Sequence, residues 1–231
     1  MIIILRMSTC IDCNKGIGKG GTRCRQCLGK EKSRRFKEKE RLVFVDVETT
    51  GLPDMVAGRY GDYYPRHRDK NAYENARLLS LSYMITDGFG NTVMDAKELF
   101  VKPYGFTIPK NITEMTGISE ENAHERGSHL NNVIHQFEHD IIEHRVTHFV
   151  SHNVEFDKRI VMNSALRRGW TSDRLMLHME NDMRYRCTMK LARTEMGKNM
   201  NLKKCVKDIL KEEPLGLHQA LQDMHYCKRI Y

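Results

Sequence analysis

No stretch of this chain approaches the ~20 consecutive apolar residues that a membrane-spanning helix needs. The apolar opening, Met1 to Met7, is too short for a secretory h-region and carries no cleavage signature. These absences point to a soluble cytoplasmic protein, with Met1 and Met7 as alternative starts. Internal repeats are missing, and so is low-complexity sequence beyond one charged run. Net charge is missing too over most of the length: residues 42–231 hold 26 basic and 26 acidic side chains. Residues 1–41 hold 12 Lys and Arg against 4 Asp and Glu, so the whole formal excess of +8 precedes residue 42. That asymmetry suggests a nucleic-acid-facing arm on a neutral body, the alternative being a solvated linker or helix. At 231 residues the chain has room for one α/β domain and a small appendage.

The secretory context that would favour disulfides is absent, which turns attention to where the seven cysteines lie. Four form two CxxC pairs, Cys10 with Cys13 and Cys24 with Cys27. Ten residues separate the pairs, five of them Gly or Lys in the run Lys15 to Gly20. Two tight turns presenting two thiolates each match a tetrahedral zinc site. The spacing is shorter than in many zinc ribbons and resembles the compact zinc knuckles of some phage nucleases. A segment this small has little apolar surface, and metal binding would supply the missing stability. Disulfides are the alternative. Cys187, Cys205 and Cys227 read as ordinary core residues.

The most informative segment is Leu42 to Gly51, LVFVDVETTG. Leu42, Val43, Phe44, Val45 and Val47 read as a buried strand bounded by Gly51 and Pro53. Asp46 and Glu48 interrupt it two residues apart, and residues i and i+2 of a strand share a face. Two carboxylates crowded on one face repel unless a cation lies between them, and hard oxygen ligands suit Mg²⁺ or Mn²⁺. An edge strand with a solvated acidic face is the alternative.

Further along, Arg77 to Asp87 turns at Gly88–Asn91 into Thr92 to Val101, a hairpin. Leu130, Val133, Ile134, Phe137, Ile141 and Ile142 predict an amphipathic helix over 128–145. His135 and His139 on it lack the glutamate placement of a metalloprotease and read as a solvated face. Helices are also expected over 154–168, 202–211 and 217–229. Between Pro53 and Arg77, Arg59, Tyr60, Tyr63, Tyr64, Arg66, His67, Arg68, Lys70 and Tyr73 interleave basic and aromatic side chains. Such a segment could stack bases and track phosphates, or be a mobile surface loop.

Taken together, three ordered motifs resemble the DEDDh branch of the DnaQ-like 3′–5′ exonucleases over about residues 42–231. They are Asp46-Val47-Glu48-Thr49-Thr50-Gly51, His152-Asn153-Val154-Glu155-Phe156-Asp157, and His218-Gln219-Ala220-Leu221-Gln222-Asp223. IPKNITEMTGIS also looks like the family's loop before the central helix. The resemblance implies an α/β, ribonuclease H-like mixed sheet flanked by helices, preceded here by a zinc knuckle at 1–28 and a basic linker at 29–41. It implies two Mg²⁺ or Mn²⁺ ions, which in such sites stand roughly 3.5–4 Å apart. Asp46 would bridge them, Glu48 and Asp223 would complete one, and Asp157 would support the other through water. His218 would be the general base, a role suited to a group that titrates near neutrality. On a continuous helix His218 and Asp223 would lie about 140° apart around the axis, so spacing alone does not bring them together.

Thr49, Thr50 and Gly51 fall where the family seats the 3′-terminal nucleotide, with Met115, Asn153 and Phe156 as further substrate contacts; a plain turn is the alternative for Thr50. The implied activity is removal of nucleoside monophosphates from single-stranded 3′ ends, DNA favoured, with replication or repair machinery as possible partners. The alternatives are a 3′–5′ exoribonuclease or oligoribonuclease and a catalytically silent nucleic-acid-binding module. A zinc-directed endonuclease lacks a second catalytic motif near the N-terminus. The insertion before ARLLSLSY looks like those of viral and phage members, implying a viral source and host cytoplasm. Two departures stand out: Cys187-Thr188 where Asp-Thr is usual, and only eight residues after Asp223, so the last helix is expected to be short.

Overall fold

The computed structural model describes residues 8–9, 11–13, 15–17, 21–59, 63–168 and 174–231, with backbone alone at 8, 9, 16 and 17. Cys10, the run Gly18 to Gly20, Tyr60 and the opening Met1 to Met7 lie outside the described residues.

The first elements are two short antiparallel strands, β1 (Ser8–Thr9) and β2 (Gly16–Ile17), followed by helix α1 (Arg25–Lys39). The basic run expected as a linker is thus helical and continuous with Cys27. No residue of α1 is buried, and among the described residues no buried apolar side chain precedes Leu42. The helix ends against the turn that follows β4 (Leu78–Asp87). A Cβ on Gly88 in that turn would come within 2.3 Å of the Lys37 carbonyl oxygen, so the close backbone approach requires glycine.

The body is a five-stranded sheet in the order β5-β4-β3-β6-β7. β3 (Arg41–Thr49) is central, antiparallel to β4 and parallel to β6 (His148–Ser151). β5 (Thr92–Phe100) completes the expected hairpin with β4, and β7 (Arg184–Cys187) forms the parallel edge. Alternation along β3 sorts its side chains to two layers. Val43, Val45 and Val47 pack beneath α4 (Leu130–Glu143), α5 (Val154–Arg167) and α6 (Arg174–Asn181). Leu42 and Phe44 pack with Met84, Val150, Met224 and Cys227, the last two from α9 (Ala220–Ile230). The even-numbered row continues to Asp46 and Glu48, which therefore face α9. This matches the expected ribonuclease H-like mixed sheet flanked by helices.

Several local expectations are corrected. The segment expected as a loop before the central helix forms two short helices, α2 (Lys110–Thr116) and α3 (Glu120–Arg126). Gly117 caps α2 in the left-handed conformation at φ 75°, and Ser119 caps α3 by accepting from the Asn122 N–H. Between β7 and the last helix lie α7 (Thr188–Met196) and α8 (Leu202–Cys205), the latter continuing as a π-turn over Val206–Leu210. The last helix begins at Ala220 rather than 217, so His218 lies outside it. His135 and His139 are exposed, as expected.

Residues 63–76 of this insertion are packed against the body rather than forming a mobile loop. Tyr73 is fully buried and donates to the Pro65 carbonyl at 2.8 Å. Three side chains of α5 donate to its backbone carbonyls: Arg159 to Pro65, Asn163 to His67 and Arg167 to Lys70, at 3.0, 2.8 and 2.7 Å. These bonds satisfy carbonyls that an irregular segment would otherwise leave without partners.

Candidate active site

Asp46 and Glu48 at the end of β3 and Asp223 in the first turn of α9 bring one carboxylate oxygen each within 4.8 Å of one another. Glu48, Asp223 and Asp157 are buried, and Asp46 is partly exposed. Asp157 lies in the first turn of α5 and accepts from the buried Ser151 hydroxyl at 2.8 Å. β6 pairs with β3 only through Phe44, which leaves the end of β3 open on that side, and the Val47 backbone N–H helps hold the Asp157 carboxylate.

The electrostatics are those of charges lacking a counter-ion. Burial, then Asp157, Asp223 and Glu48, push the Asp46 carboxyl well above the usual range. Burial, then the Asp223 and Asp157 charges, push Glu48 up to about 8. Burial raises Asp157 to about 7 despite the Ser151 hydrogen bond, and raises Asp223 to about 6 despite the His218 N–H. Asp223 Oδ1 is buried with no hydrogen-bond partner. A buried, unsatisfied anionic oxygen is costly, and the donor set here is all hard oxygen. These residues fit a divalent cation.

His218 occupies the turn before α9 at φ 65°, with its side chain exposed. Its backbone N–H donates to Asp223 Oδ2 at 3.1 Å, which ties that turn to the cluster. The three elements β3, α5 and α9 thus bring together Asp46, Glu48, Asp157 and Asp223, with His218 beside them. The hydroxyls of the first motif are otherwise engaged. Thr50 Oγ1 donates to the Asn75 carbonyl at 3.0 Å and accepts from the Arg77 N–H at 2.9 Å. Thr49 Oγ1 donates to the Gly51 carbonyl at 2.6 Å. A Cβ on Gly51 would stand 2.9 Å from the Asn75 oxygen, so glycine is needed for that approach.

Several site residues escape a motif search. Asp46 and Glu48 lie opposite Ser82 and Ser80 in the β3–β4 register, and Ser82 in turn lies opposite Glu98 of β5. Both serine hydroxyls are buried without partners. The S-x-S alternation in β4 is the available signal, but only register places it beside the acids. A cleft of about 450 Å³ opens from Glu48 and Ser80, walled by Thr116–Ile118, Arg126 and the start of α9. Met115, 45% exposed, adjoins that wall. On the other side, Asn153 takes a left-handed conformation, φ 69°, and donates to the Tyr64 hydroxyl at 2.8 Å. The Tyr64 and Phe156 rings stand 5.7 Å apart. Thr188, in the departing Cys187-Thr188 pair, meets His152 Nδ1 at 3.0 Å and Cys227 Sγ at 3.6 Å, so it serves packing under the site.

A second cluster joins Cys13, Cys24 and Cys27, whose sulfurs also lie within 4.8 Å of one another. Cys13 and Cys24 Sγ are 3.7 Å apart. That is far beyond the ~2.05 Å of a disulfide and close to the edge, about 3.8 Å, of a tetrahedron with 2.3 Å zinc–sulfur bonds.

The family profile RNase T, described as exonuclease, matches residues 43–231. No curated protein matches the chain by sequence. Among solved structures, exonuclease I is similar at 15% identity and TM-score 0.61 over 83% of this chain and 40% of that protein. E. coli exonuclease I in complex with a 5cy-dT13 oligonucleotide is similar at 17% identity and TM-score 0.62, over 83% and 39%. The zinc-bound form of the E. coli enzyme with single-stranded DNA is similar at 16% and 0.59, again over 83% and 39%. The chain thus spans about two fifths of the length of these proteins, and at such identity the likeness is one of fold.

Proposed function

Because the chain belongs to the DnaQ-like exonucleases, a family of hydrolytic nucleases matched over residues 43–231, we propose that it is a metal-dependent 3′–5′ exonuclease acting on single-stranded ends, DNA favoured. The observation that carries this reading is the convergence of Asp46, Glu48 and Asp223 with one buried oxygen of Asp223 unpartnered. A binding module has no use for a buried anionic cluster that raises its own pKa values. The oligonucleotide complexes of similar fold support a single-stranded substrate.

Asp46, Glu48 and Asp223 would hold the Mg²⁺ or Mn²⁺, with Asp157 supporting a second ion. Bound there, the metal supplies an acidified water and neutralises charge on the leaving oxygen. Asp157 is fixed by Ser151, so its carboxylate keeps one orientation. His218 accepts the proton from the attacking water, and its exposed turn lets the imidazole reach substrate while its N–H stays on Asp223. The cleft beside Glu48 is large enough for one nucleotide. With their hydroxyls engaged, Thr49 and Thr50 serve substrate through backbone and shape, while Met115 on one side and Asn153 with Phe156 on the other flank the strand. The three thiolates, with Cys10 as fourth ligand, would hold one structural Zn²⁺ in a knuckle that runs into the first turn of α1, whose basic side chains approach nucleic acid.

Hydrolysis of 5′-labelled dT and rU oligonucleotides with Mg²⁺ or Mn²⁺ tests the reading. A ladder shortening from the 3′ end is expected. Asp46→Asn should abolish it, and His218→Ala should lower kcat by about 10²–10⁴, both with unchanged far-UV circular dichroism. Near-normal turnover in either variant would overturn the residue roles, and an inert wild type would favour the silent binding module.

A further inference from the structure

A second concentration of charge lies where residues 63–70 meet α5, α6 and β7. A cavity of about 390 Å³ opens there, with Arg66, Arg68, Lys158 and Arg159 around it and Tyr185 in its lining. Two carboxylates answer these four cations. Glu180 pairs with Arg68 at 2.8 Å, while Glu155 pairs with Arg159 at 3.1 Å and reaches Lys158 only at 3.8 Å. Arg66 is exposed and has no ion-pair partner among the described residues. The Lys158 ammonium stands 4.1 Å over the Tyr185 ring, a cation–π contact that keeps it in the cavity rather than in bulk solvent. Arg159 is pinned by the Pro65 carbonyl and Glu155. The cavity therefore holds oriented, undercompensated positive charge.

Its position links it to the carboxylate cluster. Asp157, Lys158 and Arg159 are consecutive on α5, each about 100° round the axis from the last. One face of the helix carries a carboxylate to the cluster, and the next carries a cation into the cavity, about one helix width, 10–12 Å, away. Tyr64, bonded to Asn153 and tilted against Phe156, starts the segment that supplies Arg66 and Arg68.

We propose that this cavity is a phosphate subsite for the backbone of a single-stranded nucleic acid, upstream of a 3′ end seated in the carboxylate cleft. The proposal rests on the exonuclease reading for its direction, while the subsite itself rests on the cavity and its charges. A phosphodiester supplies the anion that Arg66 lacks among the described residues and that Lys158 has only in a distant Glu155 shared with Arg159, and a strand leaving the cluster past Phe156 and Tyr64 meets it next. A contact to phosphate oxygens carries no sequence information, so the subsite holds the backbone whatever the base.

The test uses the full chain with Arg66 and Lys158 both changed to Glu, and a milder pair changed to Gln. Among the described residues neither side chain holds the 63–76 segment by a hydrogen bond, and melting midpoints check the fold. Lys198→Glu, on the exposed turn after α7, makes the same two-unit charge change as the Gln pair and controls for overall charge. Binding of fluorescent dT12 and rU12 is titrated against salt in an Asp46→Asn background, so that the probe survives. The expected result is a log–log slope shallower by about 1 in the altered pair, for one or both polymers, and unmoved by Lys198→Glu. With Asp46 intact, the ratio of KM for the 12-mer to KM for a dinucleotide should rise about tenfold. An unchanged slope and ratio, or an equal loss from Lys198→Glu, would overturn the subsite while leaving the nuclease standing. A slope that falls as expected in a protein that hydrolyses neither polymer would support the phosphate site and overturn the exonuclease reading.

Discussion

Glu48 shows how far the fold works against its own carboxylates. It is 8% exposed, faces Asp223 and Asp157, and its pKa is pushed up to about 8. In the unfolded chain the same group titrates near 4.3. A raised folded-state pKa means that the folded protein binds more protons than the unfolded one between those values, so stability falls as pH rises through that window. Asp157 and Asp223, raised to about 7 and about 6, act in the same direction. The metal-free protein should therefore lose stability progressively from about pH 4.5 to pH 8. Mg²⁺ or Mn²⁺ should restore most at the alkaline end, and Glu48→Gln should flatten the profile. Thermal melts at several pH values with and without metal check this, and a metal-free melting point that climbs from pH 5 to 8 would contradict it. The motif residues themselves were legible because the D-x-E spacing states the shared face. Their neighbours Ser80 and Ser82 on β4 and Glu98 on β5 were not, since they come from strands other than β3 and only register sets them beside the acids.

At the scale of elements, the hydrophobic pattern announced β3, the β4–β5 hairpin, α4 and α5, whose apolar residues repeat over many positions. It missed α2, α3, α6 and α7, helices of seven to nine residues that offer too few turns for a periodicity and depend on caps and tertiary packing. The 54–76 segment read equally as a loop, because nothing local reveals that Arg159, Asn163 and Arg167 reach out from α5 to bind its carbonyls. Helix α1 illustrates a contact that hangs on one residue. Gly88→Ala would drive a Cβ into the Lys37 backbone, so the end of α1 must move off the hairpin. Faster amide exchange at Lys37–Arg41 with hydrolysis of a dinucleotide retained is the expected result. Unaltered exchange there would mean that helix and hairpin adjust together.

The whole molecule joins a well-packed body to a thinly packed N-terminal appendage. Among the described residues every buried apolar side chain belongs to the body, starting at Leu42, and residues 8–28 have the three clustered thiolates in place of a core. A zinc chelator that spares Mg²⁺ should make that segment protease-sensitive without shifting the melting point of the body. Zinc content near one per chain should fall in Cys24→Ser. Full zinc loading in that variant would argue against the thiolate site. The uneven charge belongs to this scale as well, with α1 presenting its basic side chains to solvent on every face.

The sequence by itself determined the family, the central strand and the carboxylates, because these depend on residue type at short fixed spacings along one element. Tertiary structure alone decided how His218 stands to Asp223, since the helix begins at Ala220 and a left-handed turn, not helical spacing, sets the relation. It alone decided that the Thr50 hydroxyl is consumed by Asn75 and Arg77, and that Tyr64 joins Asn153 and Phe156. Those outcomes are fixed by packing and hydrogen-bond satisfaction between segments distant in the chain, and such constraints leave no periodic mark on the residues that obey them.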